Sequence, residues 1–165
     1  MKRRWPSGGS RVAGFSFVEL MFSLAVMAVL ASIAVPMIQN TLQREKEQQL
    51  RLALQEIRSA IDAYKRANDD GRVMRKEGDT AYPKQLEDLV TGVQDQRSPS
   101  KRNLQFLRRI PRDPFAVDQN GNPADSWGKR SSLSSGDNPQ EGDDVFDVYS
   151  RSNKIGLNKI PLNQW

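Results

Sequence analysis

An α+β fold is predicted for this chain: one long N-terminal helix packed on a small antiparallel sheet. Three observations predict it. Residues 14–38, GFSFVELMFSLAVMAVLASIAVPMI, are almost continuously apolar. A helical pattern then continues past Pro36 until Asn68-Asp69-Asp70-Gly71. Everything after that turn is short segments punctuated by proline and glycine, and one of them, Val145 to Tyr149, alternates as a strand does.

The first element, residues 1–14, is a basic leader carrying Lys2, Arg3, Arg4 and Arg11 and no acidic side chain. The second, residues 15–38, would be roughly 36 Å long as a helix at about 1.5 Å per residue, enough to cross a bilayer. By the positive-inside rule the leader stays cytoplasmic and the remainder is exported. Glu19 is the one charge in this span. An ionised carboxylate costs at least about 2.5 kcal/mol at mid-membrane, so Glu19 needs a partner. Cleavage between Gly14 and Phe15 would create an α-amine close to it, on the same helix or a neighbouring one. Two blander readings compete: a plain anchor with a stray interfacial charge, and an ordinary signal peptide cut near Ala31 or Ala34. Against the second stand Glu19 itself and the apolar residues that continue to Ile38.

Gly14-Phe15-Ser16-Phe17-Val18-Glu19 resembles the class III signal of type IV pilins and type II secretion pseudopilins, in which a glycine, an aromatic and a glutamate follow a short basic leader. The resemblance implies cleavage after Gly14 by a membrane prepilin peptidase, which acts also as a methyltransferase, and N-methylation of Phe15. It implies that Glu19 pairs with the N-terminal amine of an adjacent subunit during filament assembly. A proline at the distance of Pro36 recurs in the family, where it marks a segment that loosens as subunits pack. Proline also removes a backbone hydrogen bond and clashes one turn back, so a kink is expected at Pro36.

The third element, residues 39–67, is the amphipathic continuation of the helix. Leu50, Leu54, Ile57, Ile61 and Tyr64 recur at intervals of four, three, four and three, flanked by Ala53 and Ala60. Arg51, Gln55, Glu56, Arg58, Asp62 and Lys65 occupy the opposite face. The stripe is read as core.

Composition narrows the chemistry. The chain of 165 residues has 25 basic and 20 acidic side chains, and without the leader 21 basic remain against 20 acidic. The net charge of +5 therefore belongs largely to the leader and is a topology signal. Cysteine and histidine are both absent, which excludes disulfides, the Ser-His-Asp and Cys-His constellations, and histidine-ligated zinc.

Residues 68–165 form the fourth element, a globular domain. Tyr82-Pro83 leads into a short helix presenting Leu86, Leu89 and Val90 to the core. A second short helical turn is expected over Asn103 to Ile110, stopped by Pro111. Asp113-Pro114 and Asn120-Gly121-Asn122-Pro123 are turn sequences. In the strand from Val145 to Tyr149, Phe146 and Val148 share one face, with Val145, Asp147 and Tyr149 on the other. Residues 127–133 and 155–165 are weaker strand or loop candidates, and Trp127, Tyr149 and Trp165 are read as packing residues. Arg97, Lys101, Arg102, Arg108, Arg109 and Arg112 make one region basic, but only Phe106 is interleaved as a stacking aromatic. A solvated face is the reading there, and no nucleic acid is expected.

Tyr82-Pro83, Ile110-Pro111-Arg112-Asp113-Pro114-Phe115, Asp125-Ser126-Trp127-Gly128, Val145-Phe146-Asp147-Val148-Tyr149-Ser150 and Trp165 occur in the order seen in G-type pseudopilins of type II secretion, which the chain resembles from Gly14 to Trp165. The resemblance implies a pilin-like fold. It implies a structural, non-enzymatic subunit, anchored by one pass in the inner membrane with its C-terminal domain in the periplasm. Implied partners are the prepilin peptidase, other copies and other pseudopilins in a filament, and an inner-membrane assembly platform. It also implies calcium in the loop after the Tyr-Ser strand. Residues 151–164, however, hold no Asp or Glu and three cations, Arg151, Lys154 and Lys159, so no cofactor or metal is expected. The acidic run Asp137, Glu141, Asp143 and Asp144 is the other place for calcium, and a solvated loop is the reading preferred there. Two further functions are alternatives: a minor pilin of a type IV pilus, serving adhesion, twitching or DNA uptake, and a membrane-tethered hydrolase using Asp143 and Asp144 as paired carboxylates.

Overall fold

The computed structural model describes residues 16–74 and 78–165, and at 33–36 the backbone only. In chain order the elements are α1 (Phe17–Asp69), α2 (Glu87–Thr91), β1 (Val93–Gln94), β2 (Asn103–Leu104), a 3-10 turn (Pro123–Ser126), β3 (Trp127–Arg130), β4 (Asp147–Ser150) and a second 3-10 turn (Leu162–Gln164). The fold is α+β, one long helix with two small antiparallel sheets, β1 with β2 and β3 with β4. The chain divides into two compact units between Thr41 and Leu42.

In the first unit α1 starts at Phe17, with Glu19 in its first turn, and runs on through Pro36. It contains an 18-residue window of mean hydropathy 2.3, none of it buried within the chain, and is long and apolar enough to cross a membrane. Its hydroxyls are satisfied locally. Ser23 Oγ donates to the Glu19 carbonyl at 2.7 Å, Ser32 Oγ to Val29 at 2.7 Å and Thr41 Oγ1 to Met37 at 3.0 Å. In lipid such back-bonding replaces the water that a hydroxyl would otherwise need.

In the second unit the remaining turns of α1 form one wall of the core. Leu50, Leu54, Ile57 and Ile61 are buried, with Ala53, Ala60 and Tyr64 beside them. The expected stripe is therefore the packed face. Leu86, Leu89, Leu107, Trp127, Val145, Val148 and Leu162 pack into the same core. The helix ends where turn chemistry places the end: Gly71 takes φ +66°, and the Arg72 amide returns to the Ala67 carbonyl at 2.9 Å. Glycine occupies that left-handed position without a side-chain penalty. Arg58, expected on the solvent face, instead ties the helix to the sheet. Its Nε donates to Asp147 at 2.8 Å, and its guanidinium also reaches the carbonyls of Val148 (3.1 Å) and Trp165 (2.8 Å).

Three expectations are corrected. Residues 103–110 contain no helix: Asn103 and Leu104 form β2, pairing with Gln94 and Val93. Gly92, at φ +78°, lies between α2 and β1 so close to the Leu104 carbonyl that a Cβ would lie 2.7 Å from it. The second correction concerns the last strand, which begins at Asp147. Val145 lies before the pleat, donates its amide to the Pro83 carbonyl at 2.8 Å and is buried, whereas Phe146 is exposed and stacks edge-on against Tyr82. The third concerns the acidic run, which is solvated at Asp137, Glu141 and Asp143 but not at Asp144, a core residue.

Candidate functional site

Three places carry the chemistry that the sequence singles out: the head of α1, a set of buried carboxylates, and the C-terminal loop. At the head, Glu19 is exposed in the first helical turn and is paired with no cation among the described residues. The Leu20 amide bonds the Ser16 carbonyl at 3.1 Å, so helical pairing already begins at Ser16. Gly14 and Phe15 lie outside the described residues. Pro36 lies inside α1. The four residues expected to serve processing and assembly thus fall on one helix and the segment directly before it.

The buried carboxylates bond to protein donors. Asp113 is fully buried; it accepts from Ser150 Oγ at 2.6 Å and from the Phe115 amide at 2.8 Å, while its own amide donates to Ser126 Oγ at 3.1 Å. This explains why Asp113, Ser126 and Ser150 stand in three separate motifs: their bonds join one turn to the 3-10 turn that leads into β3 and to the end of β4. Asp144 accepts from Ser131 Oγ and Ser132 Oγ, each at 2.6 Å, and from the Ser132 amide at 2.9 Å. Burial pushes its carboxyl up, but the bonds from Ser131, Ser132 and Thr80 outweigh that and hold it below the ordinary carboxylate range. Asp95 is held low chiefly by the Arg72 guanidinium, 2.7 Å away. Asp144 and the exposed Asp143 therefore differ in surroundings, and Asp144 has its oxygens committed. Both line one cavity, but an acid–base pair needs each carboxyl free to exchange a proton with substrate, and the serine bonds occupy both oxygens of Asp144.

The loop after β4 is built on backbone bonds. Ile155 and Pro161 form an antiparallel bridge, Gly156 and Ile160 bond at 2.9 Å, Lys159 returns its amide to Gly156 at 2.8 Å, and the Leu162 amide reaches the Lys154 carbonyl at 2.9 Å. Asn158 Oδ1 accepts from the Ile160 amide at 3.1 Å, and Asn153 Oδ1 from Asn163 at 3.2 Å. Calcium takes six to eight oxygens, several of them carboxylate. Here the side-chain oxygens of Asn153 and Asn158 are occupied, Lys154 and Lys159 lie among them, and the orphaned buried oxygen, Asn163 Oδ1, is neutral. No group of three or more acidic side chains able to hold a metal occurs among the described residues. The donor set does not fit calcium. One carboxylate does reach this loop, from an unexpected direction. Glu47 of α1 is buried and accepts the Leu157 amide at 2.8 Å. That residue carries no signal in the sequence, because its partner is 110 positions away.

In the basic region Arg97, Lys101, Arg102, Arg108 and Arg109 are exposed. Arg112 is turned inward, donating to the carbonyls of Asp118 and Gly121 and closing the loop between them.

Residues 9–35 match the family described as the prokaryotic N-terminal methylation motif, which covers Gly14, Phe15 and Glu19. Over longer stretches the chain is similar to proteins named type II secretion system core protein G. That of Pectobacterium carotovorum subsp. carotovorum is 31% identical over 116 residues, which is 67% of this chain and 66% of that protein. That of Klebsiella pneumoniae is 28% identical over 112 residues, 66% of this chain and 72% of that protein. That of Vibrio cholerae serotype O1 is 26% identical over 108 residues, 64% of this chain and 66% of that protein. The matched region thus spans about two thirds of the length of these relatives, slightly less for two of them. No solved structure matches.

Proposed function

We infer that this chain, a G-type pseudopilin, is a structural subunit of a type II secretion pseudopilus, processed by a prepilin peptidase and assembled with other pseudopilins into a periplasmic filament that drives export. The observation that carries the reading is the methylation motif over residues 9–35, set directly on a helix whose apolar window is unburied within its own chain. An apolar helix left uncovered needs lipid or other helices around it, and a filament of such helices supplies the second. Before assembly the helix anchors the subunit in the inner membrane. The basic leader keeps the N-terminus cytoplasmic and the C-terminal domain lies in the periplasm.

The work is mechanical rather than enzymatic. A hydrolase using Asp143 and Asp144 is disfavoured by the serine bonds that occupy Asp144. A pilus subunit for adhesion, twitching or DNA uptake is disfavoured by the similarity to core protein G. The inner-membrane assembly platform is the expected partner that lifts subunits out of the bilayer. Processing tests the reading. Co-expression with a prepilin peptidase should remove the fourteen residues ending at Gly14 and leave a methylated Phe15. Intact-mass spectrometry reads both changes at once. An uncut chain, or one cut near Ala31 or Ala34, would return the N-terminus to a plain anchor or an ordinary signal.

A further inference from the structure

We propose that Glu47 is the fastener of the C-terminal loop, and that it does from within the fold what a bound cation would do from outside. The inference stands on the loop's own geometry and is independent of filament assembly. Residues 154–162 turn back on themselves through the bonds between Lys154 and Leu162, Gly156 and Ile160, and Lys159 and Gly156. Those bonds shape the loop, and the buried Leu162 roots its end in the core, but neither holds its tip. Attachment comes at its tip from α1. Glu47 Oε1 accepts the Leu157 amide at 2.8 Å and the Gln43 side-chain amide at 2.9 Å. Gln43 in turn donates to the Ile155 carbonyl at 3.3 Å, so one helical turn clasps the loop on both sides of Gly156.

The clasp is selective for a carboxylate. Glu47 is only 6% exposed, and a buried anion is costly unless donors surround it. A backbone amide pointing at a carboxylate makes a charge-assisted bond, stronger than one between neutral groups. Gly156 lets the loop close tightly on itself and on Trp165. It is buried, and a Cβ there would lie 2.7 Å from both Asn158 Oδ1 and the Trp165 ring. A cation that fastens a loop gathers carboxylates from the loop itself, whereas here the loop donates an amide to a carboxylate on the helix. The polarity is reversed, and the lysines at 154 and 159 are compatible with the reversed form.

The test uses the full chain in detergent micelles and a lysine-specific protease that needs no metal. Lys154 and Lys159 report the loop, and Lys129 in β3 reports the sheet. Protection at Lys154 and Lys159 should be the same in millimolar calcium and in chelator. Glu47→Ala should speed cleavage at those two sites by about tenfold or more, since cleavage follows the open population, while Lys129 stays protected and calcium restores nothing. Glu47→Gln, which keeps an oxygen acceptor for Leu157, should fall between the two. Calcium-dependent protection of the wild-type loop would overturn the proposal in favour of a metal site. Full protection in Glu47→Ala would overturn it too. So would equal exposure of Lys129, because Glu47 would then support the whole unit and not the loop.

Discussion

Glu19 and Glu47 are both carboxylates on α1, and their settings separate two kinds of acidic residue. Glu47 finds its donors inside its own chain, at Leu157 and Gln43. Glu19 has no cation among the described residues, and the amine that would neutralise it exists only after cleavage before Phe15. A free amine and a carboxylate ordinarily carry opposite charges near neutral pH. In a water-free helix bundle either one alone is costly, whereas together they are tolerated. Glu19→Val should therefore insert in the membrane and be cleaved normally but fail to assemble, and Glu19→Gln should be similarly impaired because it retains shape without charge. The measurement is filament formation and secretion on a null background, with cleavage followed in parallel. Normal assembly by both variants would remove the pairing role.

At the level of elements, the helical stripe was legible because its signal is periodic and local: each of Leu50, Leu54, Ile57 and Ile61 is marked by its neighbours three or four positions away. The sheets were legible only in part. The sequence of β2 suggests a helical turn, since two residues are too short for alternation to show. Asp113 was seen as a turn residue, but its bond to Ser150 spans 37 positions and leaves no pattern to find. Gly128 illustrates the same limit. Its place after Trp127 had no physical reason until its cross-strand neighbour, Tyr149, was seen to lay its ring over it. A Cβ at Gly128 would overlap that ring. Gly128→Ala should cost about 1–3 kcal/mol in denaturant unfolding, the usual range for overpacking. Adding Tyr149→Ala should recover part of that loss, a non-additivity that a double-mutant cycle measures. Equal costs with and without the ring would place the strain elsewhere.

At the scale of the whole molecule, acid stability follows from the carboxylates. Asp95, Asp118 and Asp144 are all held below their ordinary range: Asp95 by Arg72, Asp118 by the amides of Asn120 and Gly121, and Asp144 by its serines against the opposing effect of burial. A carboxyl with a depressed folded pKa adds stability that is present above its unfolded value, about 3.9, and lost as pH falls through the folded one. Unfolding free energy should be nearly flat from pH 7 to about 5 and decline below about 4. Asp144→Asn should be less stable at neutral pH and show a shallower acid decline. A titration of denaturant midpoints reads both, and an unchanged slope would mean that Asp144 contributes nothing to the acid limb.

The hydroxyls of Ser23 and Ser32 have a mechanical consequence. Each is spent on a carbonyl of its own helix, at Glu19 and Val29. Between Phe17 and Ile38 the only ionisable side chain in the sequence is Glu19, and large apolar side chains dominate the surface of the described residues. Against another copy such a surface would offer shape but almost no directional bonds. On the pairing expected of Glu19, its axial position would be indexed at a single notch near one end. If Glu19 pairs with a neighbour's terminal amine, the charge at position 19 would distinguish the seated arrangement from a shifted one.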